Sequence, residues 1–138
     1  MVPLEKAEIS KDKEHIKAHL LIAGDRAGKA IPRYVEKTWG HELIYYNDGD
    51  YCMKVLQMDG GATSTHFHVS KHETLLVVSG TLTLETIVNK VVTRRKLEKG
   101  VAWVICPGYV HKLIAEDGPV TLVEASTYDH EDDSIRIS

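Results

Sequence analysis

From residue 42 to residue 126 the chain is cut into short apolar runs by turn-forming residues. Asn47-Asp48-Gly49, Asp59-Gly60-Gly61, Ser79-Gly80, Asn89-Lys90, Lys99-Gly100, Pro107-Gly108 and Asp117-Gly118-Pro119 supply the breaks. Glycine, proline, asparagine and aspartate reverse a chain cheaply, and β-branched or aromatic runs between them pair as strands. The runs predict strands at 42–46, 51–58, 64–68, 74–78, 81–88, 91–97, 101–105, 111–114 and 120–126. Helices long enough to connect parallel strands are missing between them. The expectation is therefore an all-β sandwich or barrel.

Upstream the grammar differs. Ile16, Leu20 and Ile22 recur at helical spacing between the possible N-caps Ser10 and Asp12 and the possible C-cap Gly24. One short helix is expected over 10–23, followed by a loop over 24–32. Three regions result: an N-terminal extension with its helix (1–36), a β-barrel domain (37–128) and an acidic, then mildly amphipathic tail (129–138). The tail is expected either to pack back on the barrel or to hang free.

A chain of 138 residues with 43% hydrophobic and 27% charged residues suits one domain with one core, not a disordered segment. The formal charge of −3 is mixed along the chain, and Arg94-Arg95-Lys96 is a short basic cluster within an expected strand. Nucleic-acid binding gains no support from this balance. Cys52 and Cys106 form no CxxC pair and suit a reducing compartment, although a bond between them stays open. Neither a membrane-length apolar run nor a leader-like N-terminus is present, so a soluble cytoplasmic protein is expected.

The stretch that carries chemistry is His66-Phe67-His68 followed by Glu73. On a strand, residues two apart share a face, which puts both imidazoles on one side and Phe67 on the other. Two imidazoles on one face can grip a first-row divalent cation. Glu73 opens the next strand and can return a carboxylate oxygen over the same face. His111 follows the Pro107-Gly108 turn, whose glycine lets the chain reverse and aim the ring inward. Each piece alone is commonplace; together they form a metal-ligand pattern. Three imidazoles and one carboxylate suit Zn, Fe, Mn, Ni or Co, and an octahedral ion so held keeps two positions open.

Gly60-x5-His66-x-His68-x4-Glu73-x6-Gly80 resembles the first motif of the cupin superfamily, and Gly100-x5-Cys106-Pro107-Gly108-x2-His111 resembles the second. Cys106 stands where that family usually has proline, and Ala115 where it often has asparagine. The resemblance spans about residues 37–127. It implies a double-stranded β-helix, or jelly-roll barrel, with the metal at its wide interior, and the pairing of barrels into a homodimer. Glu36-Lys37-Thr38-Trp39-Gly40-His41-Glu42, the run from His72 to Thr81, and the ending Asp132-Asp133-Ser134-Ile135-Arg136-Ile137 are similar to the C-terminal cupin domain of type II phosphomannose isomerases. Lys71 replaces an arginine common there, and Thr38 a proline. That likeness implies a small sugar or sugar-phosphate substrate and proton transfer through an enediolate, with no residue assigned as the base. An iron-dependent dioxygenase, favoured by inward Leu75, Val77 and Leu113, and a non-catalytic small-molecule-binding module are the alternatives.

Other residues carry less. His15 and His19 lie four apart on the expected helix, a zinc-capable spacing without a carboxylate or cysteine partner. His72 should point away from Glu73. Cys106 is expected to be a buried, inert thiol, and Trp39 and Trp103 to be core or interface residues. Ser64 has no nucleophile elbow around it. Arg33, Lys37 and Arg136 are candidate phosphate or carboxylate partners, with solvation as the ordinary alternative.

Overall fold

The computed structural model describes residues 27–138. The expected helix at 10–23, with His15 and His19, lies outside the described residues. Residues 27–30 are exposed and irregular, and the described strands lie in the unit Ile31–Ser138.

Among the described residues, twelve strands form two antiparallel layers. In chain order they are β1 (Arg33–Lys37), β2 (Gly40–Asn47), β3 (Cys52–Met58), β4 (Gly61–Ala62), β5 (His66–His68), β6 (Glu73–Ser79), β7 (Leu82–Val88), β8 (Val91–Leu97), β9 (Ala102–Ile105), β10 (Val110–Ala115), β11 (Val120–Ser126) and β12 (Ser134–Arg136). One sheet runs β1-β2-β3-β11-β6-β9, and the other β12-β5-β10-β7-β8, with β4 paired to β10. All nine expected strands form. β1, β4 and β12 were not anticipated: β1 pairs with β2 at one sheet edge, and the 129–138 tail packs back as β12 against β5.

The alternation that makes a strand half-buried is plain on β3, where Cys52, Lys54, Leu56 and Met58 point inward, and on β11, where Val120, Leu122 and Glu124 do. Leu56, Met58, Leu75, Val77, Leu82, Leu84 and Leu122 meet in one buried cluster. Apolar burial of this kind is the main driving force for closing the two sheets. Lys54 and Glu124 keep the inward phase but leave the apolar cluster, and they mark where the interior turns polar.

Two turns set the frame. Asn89 and Lys90 both take positive φ (51° and 66°), closing the β7–β8 hairpin, in which Val88 faces Val91. That is the primed two-residue turn whose twist matches the strands it joins. Gly80, the last residue of the first motif, has φ of 81°, and a Cβ there would run into the carbonyl oxygen of Pro119. Gly60, in contrast, has open space around it. Gly80→Ala is expected to lower stability by about 2–4 kcal/mol, combining strain at positive φ with a backbone collision, and Gly60→Ala by under about 1 kcal/mol. Urea unfolding of the two variants beside the wild type checks the contrast.

Candidate metal centre

Strand β5 carries His66 and His68, and β10 begins with His111 one residue in. The two strands pair antiparallel with His66 directly opposite His111. β7 pairs with β10 on its other side, so His111 is buried in mid-sheet. The Gly108 turn, at φ of 81°, is pinned to β5 by its own amide, which donates to the His68 carbonyl at 2.8 Å. Glycine thus does at 108 what the sequence asked of it: it brings the second motif onto the first. Glu73 opens β6, between β9 and β11, and is buried.

These elements bring the four expected ligands together. One nitrogen each of His66, His68 and His111 lies within 4.8 Å of the other two. Glu73 Oε1 is 3.3 Å from His111 Nε2 and 3.9 Å from His68 Nε2. The ring tautomers follow from their partners. His66 Nδ1 donates to the Ser64 carbonyl and His111 Nδ1 to the Tyr109 carbonyl, each at 2.8 Å. A carbonyl can only accept, so those Nδ1 atoms hold protons and the Nε2 atoms offer lone pairs. At that contact distance His111 Nε2 and the Glu73 carboxylate need a positive charge between them, a shared proton or a cation. The residues present fit a divalent ion.

Burial keeps the imidazoles ready for that role. It pushes His66 below its usual pKa, helped by His111, and pushes His68 down to about 4, helped by the Lys71 ammonium. Burial works the other way on Glu73, but the hydrogen bond to His111 and the charge of Lys71 outweigh it and hold the carboxyl well below its ordinary range.

Lys71 belongs to a buried charged floor that the sequence reading missed. Its Nζ lies 2.9 Å from Glu73 Oε2, 3.3 Å from Glu124 Oε2 and 3.4 Å from Asp129 Oδ1. Lys54 Nζ lies 2.5 Å from Asp129 Oδ2, 3.5 Å from Glu42 Oε2 and 3.9 Å from Glu124 Oε2. Burial disfavours the charge on both ammonium groups; Glu124 and the other surrounding carboxylates outweigh it and raise both pKa values. Glu124 moves up, because it is buried and sits near the Glu73 charge. Two inward-phase charges, Lys54 on β3 and Glu124 on β11, were a usable sign of this floor, since a charge in step with core residues needs a partner.

A cavity of about 1410 Å³ opens over the cluster. Its walls include the four ligand candidates, Lys54, Lys71, Glu42, Glu124, Asp129, Arg33, Lys37 and Arg136. Leu113 also lines it; Leu75 and Val77 face inward as expected but pack in the apolar core and do not line the cavity. His72 is exposed and points away, as its place beside Glu73 required. Trp39 belongs to the core cluster, and Trp103 is half-buried against that cluster with Arg95 over its ring at 4.9 Å. Both cysteines are free: Cys52 is buried, and Cys106 is exposed, contrary to the buried thiol expected. Cys106 caps a surface turn, and its carbonyl accepts from the Tyr109 amide at 3.2 Å.

The architecture and the cluster define a jelly-roll barrel with a histidine-rich interior site. The sequence profile of the cupin family matches residues 49–136, more than half of the chain. The chain belongs to the cupin family. Among solved structures it is similar to the capsular polysaccharide assembling protein CapF from Staphylococcus aureus (TM-score 0.70, 18% identity, 83% of this chain and 34% of that one). It is similar to oxalate decarboxylase from Bacillus subtilis (TM-score 0.68, 11% identity, 77% and 30%). KdgF from Halomonas sp. is similar over nearly its whole length (TM-score 0.64, 18% identity, 77% and 97%). The chain spans about a third of the CapF and oxalate decarboxylase chains. No curated protein matches it. Among the described residues no helix is long and apolar enough to cross a membrane.

The depressed His68 pKa sets a pH dependence for the metal-free protein. An unfolded histidine titrates near 6.5 and the folded one at about 4, so between those values the unfolded state binds more protons. The contribution of this group is complete above about pH 6.5 and is lost as pH falls through about 4. Urea unfolding of metal-free protein from pH 7.5 to 4 should show that decline, with a shallower slope in His68→Gln.

Proposed function

We propose that the chain is a metal-dependent cupin enzyme that moves a proton between neighbouring carbons of a small hydroxy-carbonyl compound of the sugar or sugar-phosphate class. His66, His68 and His111, through Nε2, and Glu73, through Oε1, would hold one divalent ion of the Zn, Fe, Mn, Ni or Co group. When bound, that ion supplies Lewis acidity toward substrate oxygens.

The observation that carries this proposal is the charged floor beside the ligand cluster. A wall of Lys54, Lys71, Glu42, Glu124 and Asp129 suits a compound rich in hydroxyl groups, where a dry dioxygenase pocket would need apolar lining. Glu124 is the residue we assign to the proton. It lies one ammonium group away from Glu73, bridged by Lys71, and lines the cavity. Burial and the Glu73 charge favour its protonated form, while Lys71 and Lys54 favour its ionised one, so both forms are accessible near neutrality. Its carboxylate would take a proton from the hydroxyl-bearing carbon next to the carbonyl and return it to the carbonyl carbon, while the proton of that hydroxyl passes to the former carbonyl oxygen. Lys54 and Asp129 would orient substrate hydroxyls by donating and accepting.

Two further observations are in line with the carbohydrate class. The segments at residues 36–42 and 72–81 resemble type II phosphomannose isomerases, and CapF is described as a capsular polysaccharide assembling protein. The test joins three measurements on purified protein: metal content, oxygen consumption, and deuterium uptake from D₂O at the carbon next to the carbonyl across a panel of aldoses, ketoses and their phosphates. One metal ion per chain with deuterium uptake and no oxygen consumption is expected. Glu124→Gln should keep the metal and lose exchange by about 10²–10⁴-fold. Oxygen consumption matched to substrate loss would point to the dioxygenase, and metal-loaded protein silent across the panel to a binding module.

A further inference from the structure

The three imidazoles are not held alike. His66 and His111 each have Nδ1 fixed by the carbonyl two residues earlier in the chain. His68 has no such tether: among the described residues its Nδ1 is a buried side-chain nitrogen with no hydrogen-bond partner. A ring that offers Nε2 to a cation must keep its other proton on Nδ1, and a buried N–H without an acceptor is costly. The carboxylate facing that nitrogen is Asp133, with Oδ2 at 4.0 Å.

Asp133 is unusually well placed for this. Its Oδ1 accepts from the Ser70 amide and the Ser70 hydroxyl, both at 2.8 Å, and its Oδ2 accepts from the Lys71 amide at 3.0 Å. The carboxylate is therefore anchored on the loop between β5 and β6 while one lone pair of Oδ2 remains for His68. A shift of about 1 Å would bring the pair to hydrogen-bond distance. Asp133 sits at the head of the C-terminal strap, which is joined to β5 chiefly by main-chain bonds. Val69 N donates to Asp133 O at 3.0 Å, and Ile137 N donates to Thr65 O at 2.8 Å. The side chains of Ser134 to Ser138 are exposed, so little apolar burial locks the strap. Such an element opens at low cost and responds to a new contact.

We propose that Asp133 is a positioning residue that accepts the His68 Nδ1 proton when the cluster is loaded, so that metal occupancy and closure of the C-terminal strap on β5 are linked. The proposal rests on the reading of His66, His68, Glu73 and His111 as metal ligands. A cation on Nε2 makes Nδ1–H a stronger donor, which draws ring and carboxylate together. Linkage is reciprocal: whatever factor metal adds to strap closure, closure returns to metal affinity.

The probe is Zn²⁺, which is silent in NMR. In the wild type, Zn²⁺ should give His68 the Nδ1–H tautomer in ¹⁵N-histidine spectra and slow amide exchange at Ile137. In Asp133→Asn, zinc affinity measured against a chromophoric chelator should fall about 10–100-fold, the usual effect of losing an outer partner of a ligating histidine. Zinc should also cease to slow exchange at Ile137 in that variant, a loss of coupling that destabilisation alone would not produce. Asp132→Asn, on the exposed neighbour, should leave affinity within about 2-fold. If the wild type binds zinc but His68 shows no Nδ1–H, or the strap exchanges at the same rate with and without zinc, the linkage is refuted while the ligand reading stands. If the wild type binds no zinc, both fall. The two wild-type measurements decide the matter even if the Asp133→Asn protein does not fold.

Discussion

One strand register carries the site: His66 of β5 opposite His111 of β10. Side chains on a strand alternate faces, so a slip of a single residue would send one of these rings out of the barrel. β5 is only three residues long and cannot secure that register by itself. It is secured from both flanks. Gly108 N binds the His68 carbonyl, Thr63 exchanges two hydrogen bonds with Leu113 through its amide and its hydroxyl, and β12 pairs residue for residue along the outer edge. Pairing of β6 with β11 and β9 then delivers Glu73 against the two inner rings.

Around that register the interior divides into two solvents. Leu, Val and Met fill one end, and acidic and basic groups fill the other. Burying charge is expensive, and a chain seeking only stability would continue the apolar core through positions 54 and 124. Here two ammonium groups hold four carboxylates, Glu42, Glu73, Glu124 and Asp129, at the cavity floor. Lys71 occupies one oxygen of Glu73 and leaves the other facing the histidines, which favours binding through a single oxygen. Structure and chemistry meet in that one ammonium: the group that makes a buried glutamate tolerable also aims it.

Much of this was legible from the residues. Strands Val91–Leu97 and Val120–Ser126 fall within the limits set by their turn residues, and His66, His68, Glu73 and His111 converge as their spacing required. The misses share a cause. β1, β4 and β12 are short strands held largely by pairing with neighbours, and two or three residues such as Gly61–Ala62 carry no periodicity to read. Asp133 stands in an acidic stretch whose role depends on a contact with residues 70 and 71, more than sixty positions away, and no local pattern encodes that. Lys54 and Glu124 were readable in principle by their inward phase, but which charge pairs with which is fixed only by the order of the strands in the sheet.

The central claim is that three imidazoles and one carboxylate share a single cation inside the barrel. X-ray absorption at the metal edge of protein loaded with one equivalent of Zn²⁺ tests it most directly. The account predicts a shell of light N/O donors at about 2.0–2.2 Å with outer-shell scattering from three imidazole rings, reduced to two in His111→Ala. A shell without imidazole scattering, or one unchanged in that variant, would contradict it.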